Sequence, residues 1–208
     1  MLRIAMAQPA QRAATYEDLL AVPEHQVAEI LFGWLVTHPR PAPQYASAAT
    51  ALSGILGTAV QPKAGESGGW VFMTEPKLHL GPHVLVPDLA AWRREKLRGL
   101  PEKAWIDVTP DWVCEVLSPS TERYDRCEKR TIYAKAGAGH LWFVDPRPEM
   151  LEAYELTNGK WLVLGAFFGD AQIIAPPFGN VTFPLGLLWP FDPPAEKQEC
   201  SGWAGLLH

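Results

Sequence analysis

The stretch Pro110-Asp-Trp-Val-Cys-Glu-Val-Leu-Ser-Pro-Ser-Thr121 contains the most informative residue of this chain. A run of apolar and β-branched residues from Val113 to Leu117 has the length of a strand, and turn-forming residues flank it. Such a run is typical of the buried centre of a parallel or mixed sheet. Glu115 lies in its middle, where a lone ionised carboxylate would cost several kcal/mol. The sequence therefore predicts that Glu115 is paired, metal-bound or protonated.

A second strand, predicted over Val84–Trp92, places Asp88 among apolar residues in the same way. We expect these two strands and the one over His140–Asp145 to be neighbours in one mixed central sheet. Helices predicted over 44–60 and 121–136 should pack against its faces, which makes the fold α/β. Residues 15–190 are predicted to form one domain, between a flexible lead-in at 1–14 and a tail at 191–208.

Composition excludes several classes of protein. The net charge of −5 argues against polyanion binding by the whole surface, although it leaves room for a local basic groove. The three cysteines are odd in number and unevenly spaced, so neither a disulfide framework nor a zinc knuckle is indicated. No apolar run is long enough to cross a membrane, and the first residues do not fit a signal peptide. We therefore expect a cytoplasmic protein with no membrane partner.

Three residues form the predicted catalytic set: Asp88, Glu115 and Lys129. Two carboxylates from neighbouring strands would hold Mg²⁺, with Mn²⁺ as an alternative, because hard cations prefer oxygen ligands. Helical spacing places Lys129 on one face with Asp125, where its charge would stabilise charge building on a phosphate. The spacing alone equally allows a structural arrangement, in which backbone amides cap the acids and Lys129 only pairs with Asp125.

The sequence also resembles a known family. Val86-Pro-Asp88 and the block from Pro110 to Pro146, with Glu128-Lys129, Tyr133, Gly137 and His140-Leu-Trp-Phe-Val-Asp145, are similar to the bacterial Uma-two (Uma2) family. That family is grouped with the PD-(D/E)XK restriction-endonuclease-like superfamily. The resemblance implies an α/β nuclease core with Asp88 as the first acid of the motif and Glu115 as the second. Leu117 occupies the usual lysine position, and the resemblance implies that Lys129 replaces that lysine from the following helix.

Further residues are candidates for supporting or binding roles. Glu29 lies on a strand of a hairpin predicted around Gly33, and the family likeness implies a supporting acid there; a solvent-exposed acid is the equally open alternative. Basic side chains follow both strands that carry the acids and are predicted to border the site and to contact phosphates, although a solvated charged loop fits them as well. They are Arg93, Arg94, Arg123 and Arg126.

The leading hypothesis is a Mg²⁺-dependent endonuclease that hydrolyses phosphodiester bonds, with DNA as the expected substrate. One alternative is a catalytically inactive module of nuclease fold that binds nucleic acid or protein, and another is a metal-dependent hydrolase of a different phosphoester. A homodimer is compatible with cutting two strands. The sequence carries no motif for reading bases, which argues against tight sequence-specific binding by this chain alone.

Overall fold

A computed structural model describes residues 12–60 and 69–189 of the chain. The predicted tail at 191–208 and the first eleven residues of the predicted lead-in lie outside the described residues. At the described end of the lead-in, the amide of Ala14 donates a 2.8 Å hydrogen bond to the carbonyl of Gly33. This end of the segment is therefore tied to the rest of the fold.

A six-stranded sheet forms the centre of the fold, in the order β10-β9-β8-β7-β6-β3. Its strands are β3 (Trp70–Thr74), β6 (Leu89–Arg93), β7 (Trp112–Val116), β8 (His140–Asp145), β9 (Met150–Thr157) and β10 (Lys160–Phe168). The β7–β8 pair is parallel and its neighbours are antiparallel, so the sheet is mixed. The predicted α/β class is confirmed, and the strands predicted around Asp88, Glu115 and His140–Asp145 are adjacent.

A smaller, four-stranded sheet has the order β2-β1-β5-β4. Its strands are β1 (Gln26–Leu31), β2 (Trp34–Pro39), β4 (Leu78–Leu80) and β5 (His83–Leu85), while β11 (Gln172–Ile173) and β12 (Phe183–Pro184) form a separate pair. The predicted hairpin around Gly33 is confirmed, with φ of 52° at Phe32 and 83° at Gly33. Positive φ at both central residues is the tight turn that matches the twist of a hairpin.

The prediction of one strand over Val84–Trp92 is wrong. The chain forms β5 in the small sheet, leaves it at Val86, and enters the central sheet as β6 at Leu89. Pro87 explains the break, because it has no N–H to donate to a strand ladder. Asp88 therefore lies in the connection between the two sheets rather than within a strand.

Helices α2 (Pro43–Val60) and α4 (Arg130–Ala136) cover the two faces of the central sheet, as predicted. A π-helical turn (Asp125–Lys129) joins α3 (Glu122–Tyr124) to α4, and α1 (Tyr16–Leu20) packs against β1 of the small sheet. A capping box between Thr15 and Asp18 begins α1. Thr121, by contrast, does not cap α3 with its side chain; its hydroxyl lies 3.0 Å from that of Ser118.

The alternation of side chains along β7 divides the core into two layers. Cys114 and Val116 pack in the layer that contains α2, whereas Val113 and Leu117 pack in the layer that contains α4. Successive residues of a strand point to opposite faces, so Glu115 points toward the α4 layer. The fold thus brings the buried carboxylate to the helix that carries Lys129.

Candidate active site

Lys129 is the centre of a buried cluster of charges. Its ammonium nitrogen lies 2.8 Å from Glu115 Oε1, 3.2 Å from Glu29 Oε1 and 3.3 Å from Asp125 Oδ1, and its side chain is only 3% exposed. It also donates a 3.4 Å hydrogen bond to the carbonyl of Val86. Three carboxylates from β1, β7 and the π-helical turn therefore surround a single cation.

Further hydrogen bonds fix the carboxylates of Glu115 and Glu29. The hydroxyl of Tyr133 donates a 2.6 Å bond to Glu115 Oε1, the oxygen that Lys129 also contacts. The amide of Val86 donates a 2.7 Å bond to Glu29 Oε1, and His38 Nε2 lies 3.4 Å from Glu29 Oε2. These bonds leave Glu29 and Glu115 little freedom to rotate.

Asp88 faces the same space from the connection between the sheets. Its Oδ2 accepts a 2.7 Å hydrogen bond from the amide of Val116. Asp88, Glu115, Asp125 and Lys129 all line one cavity of about 30 Å³. A cavity of that size is large enough for a water molecule or a small ion. The structure thus brings together the predicted residues Asp88, Glu115 and Lys129.

Burial and mutual repulsion divide the acids of the cluster into two groups. Burial raises the pKa of Asp88 to about 6 and raises the pKa of Glu115 and of Asp125, despite the opposing charge of Lys129. Burial also acts to raise the pKa of Glu29, but Lys129 and its hydrogen bonds outweigh it, so that pKa lies below the ordinary value. Glu29 is therefore the acid of the cluster whose ionised form its surroundings favour.

The same carboxylates keep Lys129 charged. Burial alone would lower the pKa of its ammonium group, but the attraction of Glu115 and Glu29 raises that pKa well above the ordinary value. A permanently protonated lysine is not a general base at neutral pH. It acts instead as a fixed positive charge and hydrogen-bond donor.

Two oxygens of the cluster suit a hard cation. Within the described part of the chain, no donor contacts Asp88 Oδ1 or Glu115 Oε2, and the two residues share one cavity. Carboxylate oxygens are the ligands that Mg²⁺ prefers, completed by water. Among residues 12–60 and 69–189, no three His, Cys, Asp or Glu side chains are arranged to hold a metal ion. A cation here would therefore depend on the two carboxylates and on water.

The predicted phosphate-binding arginines do not surround this cavity. Asp88 immediately precedes the first residue of β6, whereas Arg93 is its last residue and Arg94 follows it. Five residues of extended strand separate Asp88 from Arg93 by about 16 Å. The expectation that this pair borders the acids is therefore corrected. The expectation was wrong because β6 begins beside the acids and extends away from them, so residues at its other end are distant from the site. The guanidinium of Arg93 lies 4.0 Å from the ring centre of Trp70.

Arg123 and Arg126, which follow the Glu115 strand, are closer to the site in sequence, but both are directed at other carboxylates. Arg126 pairs with Glu152 at 2.6 Å and with Glu122 at 3.1 Å. Arg123 is 79% exposed and approaches Glu128 at 4.0 Å. Neither residue lines the cavity of the acids.

Sequence reasoning assigned no role to Tyr133 or His38, and it considered Asp125 only as an ion-pair partner of Lys129. Tyr133 was detectable, because it follows Lys129 by four residues on one helical face. His38 was detectable from the hairpin register, in which Glu29 pairs with Val36 and His38 is the diagonal neighbour. The π-helical turn over Asp125–Lys129 has no sequence signature here, although such turns are frequent at functional sites.

Comparison with known proteins gives an independent view of the fold. A crystal structure from Anabaena variabilis, described as a putative nuclease belonging to DUF820, matches with a TM-score of 0.69 and 20% sequence identity. The match covers 85% of this chain and 97% of that one, and it shows that the two share a fold. No match was found among the curated proteins. In the part of the chain that the structure describes, no helix is long and apolar enough to span a membrane.

The family likeness extends over most of the chain. The family model Uma2, described as putative restriction endonuclease, matches residues 13–186. The match includes Glu29, Asp88, Glu115 and Lys129. The chain therefore belongs to the Uma2 family of putative restriction endonucleases.

Proposed function

We propose that this protein is a Mg²⁺-dependent endonuclease that hydrolyses phosphodiester bonds in DNA. One observation carries the proposal: Asp88 and Glu115 share a small cavity with the buried, charged Lys129. Buried ionisable groups with strongly perturbed pKa values, gathered in a cleft, are typical of catalytic sites. The family supports nuclease chemistry, and the donor set supports a hard divalent cation.

Glu115 and Lys129 have complementary duties in this proposal. Lys129 and Tyr133 both bind Oε1 of Glu115, so they fix the carboxylate and leave Oε2 for another ligand. Glu29 and Asp125 keep the ammonium group protonated and in place. Because its N–H groups are directed at these carboxylates, Lys129 acts through its charge, which favours hydroxide at the attacking water and offsets the negative charge that builds on the phosphate.

Asp88 and Glu115 would hold the ion, Mg²⁺ or Mn²⁺, which would polarise the phosphodiester and make water a stronger nucleophile. Asp88 is fixed for this by the amide of Val116 at one oxygen. Glu29 has a supporting role, because it contacts Lys129 and, through Val86, the segment that leads to Asp88.

A nicking assay tests the proposal. Supercoiled plasmid is incubated with the wild-type protein in Mg²⁺, Mn²⁺ or chelator, beside Asp88→Asn, Glu115→Gln and Lys129→Met. We expect metal-dependent nicking that each substitution reduces by about 10²-fold or more, the usual effect of losing one preorganised charge. The matched control is Glu102→Gln, which makes the same change at an exposed position outside the cluster. Equal activity of Glu102→Gln and Glu115→Gln would contradict the proposal.

A second candidate is a binding module without catalysis. It is favoured by the observation that, in the described residues, no set of three metal-binding side chains is assembled. This function predicts that DNA binds equally well with and without divalent ions and that no strand is cut. Wild-type protein that binds plasmid but never nicks it, in either metal, would establish this alternative.

A further inference from the structure

We propose that a basic groove on the outer side of α4 binds the phosphate backbone of the nucleic acid, away from the bond that is cleaved. The inference rests on the proposed function, because it names where more of the same substrate is held. The groove lies between α4 and the turn that joins β9 to β10, and it has a volume of about 730 Å³. It is separate from the cavity of the acids, which shares none of its residues.

The groove is basic and contains no acidic side chain. Arg126, Arg130, Lys135 and Lys160 line it, and none of its lining residues is Asp or Glu. This composition runs against the chain as a whole, which has a net charge of −5. A concentration of one sign of charge in a concave surface attracts a ligand of the opposite sign.

Most of these charges are not neutralised within the protein. Arg126 pairs with Glu122 and Glu152, but Arg130, Lys135 and Lys160 form no ion pair with any carboxylate of the described residues. Some exposed arginines elsewhere are neutralised, as Arg12 is by Asp18 and Arg40 by Glu75. A merely solvated charged surface carries both signs, as the segment 93–98 does with Glu95 among its basic residues, whereas the lining of the groove carries positive charge alone.

Aromatic side chains hold the groove in shape. The indole N–H of Trp161, on the groove wall, donates a 3.0 Å hydrogen bond to the carbonyl of Arg130. The guanidinium of Arg130 lies 5.2 Å from the ring centre of Tyr154, and the ammonium of Lys135 lies 5.3 Å from that of Phe32. These contacts position the cations without cancelling their charge.

The groove and the acid cluster lie on different sides of the helical segment 122–136. Asp125 and Lys129 line the cavity of the acids, whereas the next residue after each, Arg126 and Arg130, lines the groove. Along the helix axis, Arg130 and Lys135 are separated by about 7.5 Å, or roughly two nucleotides of one strand of B-DNA. A nucleic-acid strand that is cleaved at the acid cluster and continues around this helical segment would therefore reach the groove.

The chemistry of the groove fits the phosphodiester backbone of a nucleic acid rather than particular bases. Lys and Arg side chains neutralise phosphates and release counterions, which gives binding without sequence preference but with strong dependence on salt. Each phosphate contact contributes about −0.9 to the slope of log K against log salt for duplex DNA and about −0.7 for single strands. The groove therefore has a measurable signature that does not depend on cleavage.

Fluorescence anisotropy of labelled oligonucleotides, in chelator so that nothing is cut, tests the inference. Wild-type protein is titrated with single-stranded DNA, duplex DNA and RNA over a range of salt concentrations, and compared with Lys135→Gln/Lys160→Gln. The matched control is Arg98→Gln/Lys103→Gln, which removes two positive charges from exposed positions outside the groove. We expect the groove variant to bind at least about tenfold more weakly, with a salt slope smaller by about 1.4 to 1.8, and the control to match wild type.

Each outcome has one meaning for the groove. Binding that weakens in the groove variant alone supports the inference, and it does so even when the wild-type protein fails to nick plasmid in Mg²⁺, in which case only the proposed catalysis is lost. Identical affinity and salt slope of the groove variant and the control overturn the inference, whether or not plasmid is cut. Absence of any oligonucleotide binding by the wild-type protein overturns it as well.

Discussion

The inner and outer faces of the helical segment 122–136 carry similar residues in opposite environments. On the inner face, Lys129 is 3% exposed and is surrounded by three carboxylates. On the outer face, Lys135 is exposed and pairs with no carboxylate of the described residues. Two lysines six residues apart on one helical segment thus have different physical duties.

The difference shows how burial decides what a charge does. A buried charge must be compensated at short range, so its partners become rigid and their pKa values shift. An exposed charge is screened by water and salt, contributes little to stability, and remains available to a ligand. Chemistry is therefore expected on the inner face, and salt-sensitive binding on the outer face.

Replacing Lys129 should give the largest effect on stability. Lys129→Met leaves Glu29, Glu115 and Asp125 buried without their cation, and breaking such a pair costs about 3 to 5 kcal/mol. We expect the free energy of unfolding, measured with urea in chelator, to fall by about that amount.

Lys135→Met provides the matched comparison for this variant. The same substitution on the exposed face should change the free energy of unfolding by less than about 0.5 kcal/mol. Equal stability changes for the two lysine variants would break the distinction between the two faces.

Replacing Asp88 should raise the free energy of unfolding, because its buried charge destabilises the protein when no cation is bound. Its pKa is raised to about 6 by burial, so the ionised form is destabilising above that pH. Below the ordinary pKa of an aspartate both the folded and unfolded states are protonated, and the penalty vanishes. In chelator, Asp88→Asn should be more stable than wild type by about 3 kcal/mol at pH 8, since each pKa unit corresponds to about 1.4 kcal/mol. The gain should disappear as the pH falls through 6 toward 4.

The control for Asp88 is an acid whose pKa moves the other way. The hydrogen bond from Lys103 lowers the pKa of the exposed Asp107. Asp107→Asn should therefore bring no stabilisation at pH 8. A stability gain for Asp88→Asn that is independent of pH would show that the gain does not come from its ionisation.

Much of the fold was predictable because its signals are local. The apolar run around Glu115, the Asn-Gly turn at 158–159 and the glycine at 137, which has φ of 81°, each specify their own conformation. Pro87 could have indicated that the strand predicted over Val84–Trp92 is interrupted. Which sheet β5 and β6 each join, however, depends on pairing with strands distant in sequence, and local sequence patterns do not contain that information.

The candidate site was only partly predictable for a related reason. Buried carboxylates are anomalous in sequence, which identified Asp88 and Glu115, whereas Asp125 and His38 gain meaning only from the partners around them. Arg93 and Arg94 were misplaced because closeness in sequence to Asp88 does not mean closeness in space along a strand. The roles of all these residues in catalysis and binding, the homodimer and the cytoplasmic location stay predictions.

The most direct test of the account is whether Asp88 and Glu115 bind a divalent cation. Calorimetric titration with Mg²⁺ and Mn²⁺, near neutral pH in two buffers of different ionisation enthalpy, measures affinity and proton release together. We expect binding at millimolar concentration or below, with a release of protons that increases as the pH of the titration is lowered toward 6, because burial raises the pKa of both acids and the ion must displace the protons that they carry. Binding should be lost in Asp88→Asn and Glu115→Gln and retained in Glu102→Gln. A wild-type protein that binds neither ion at millimolar concentration would contradict the account.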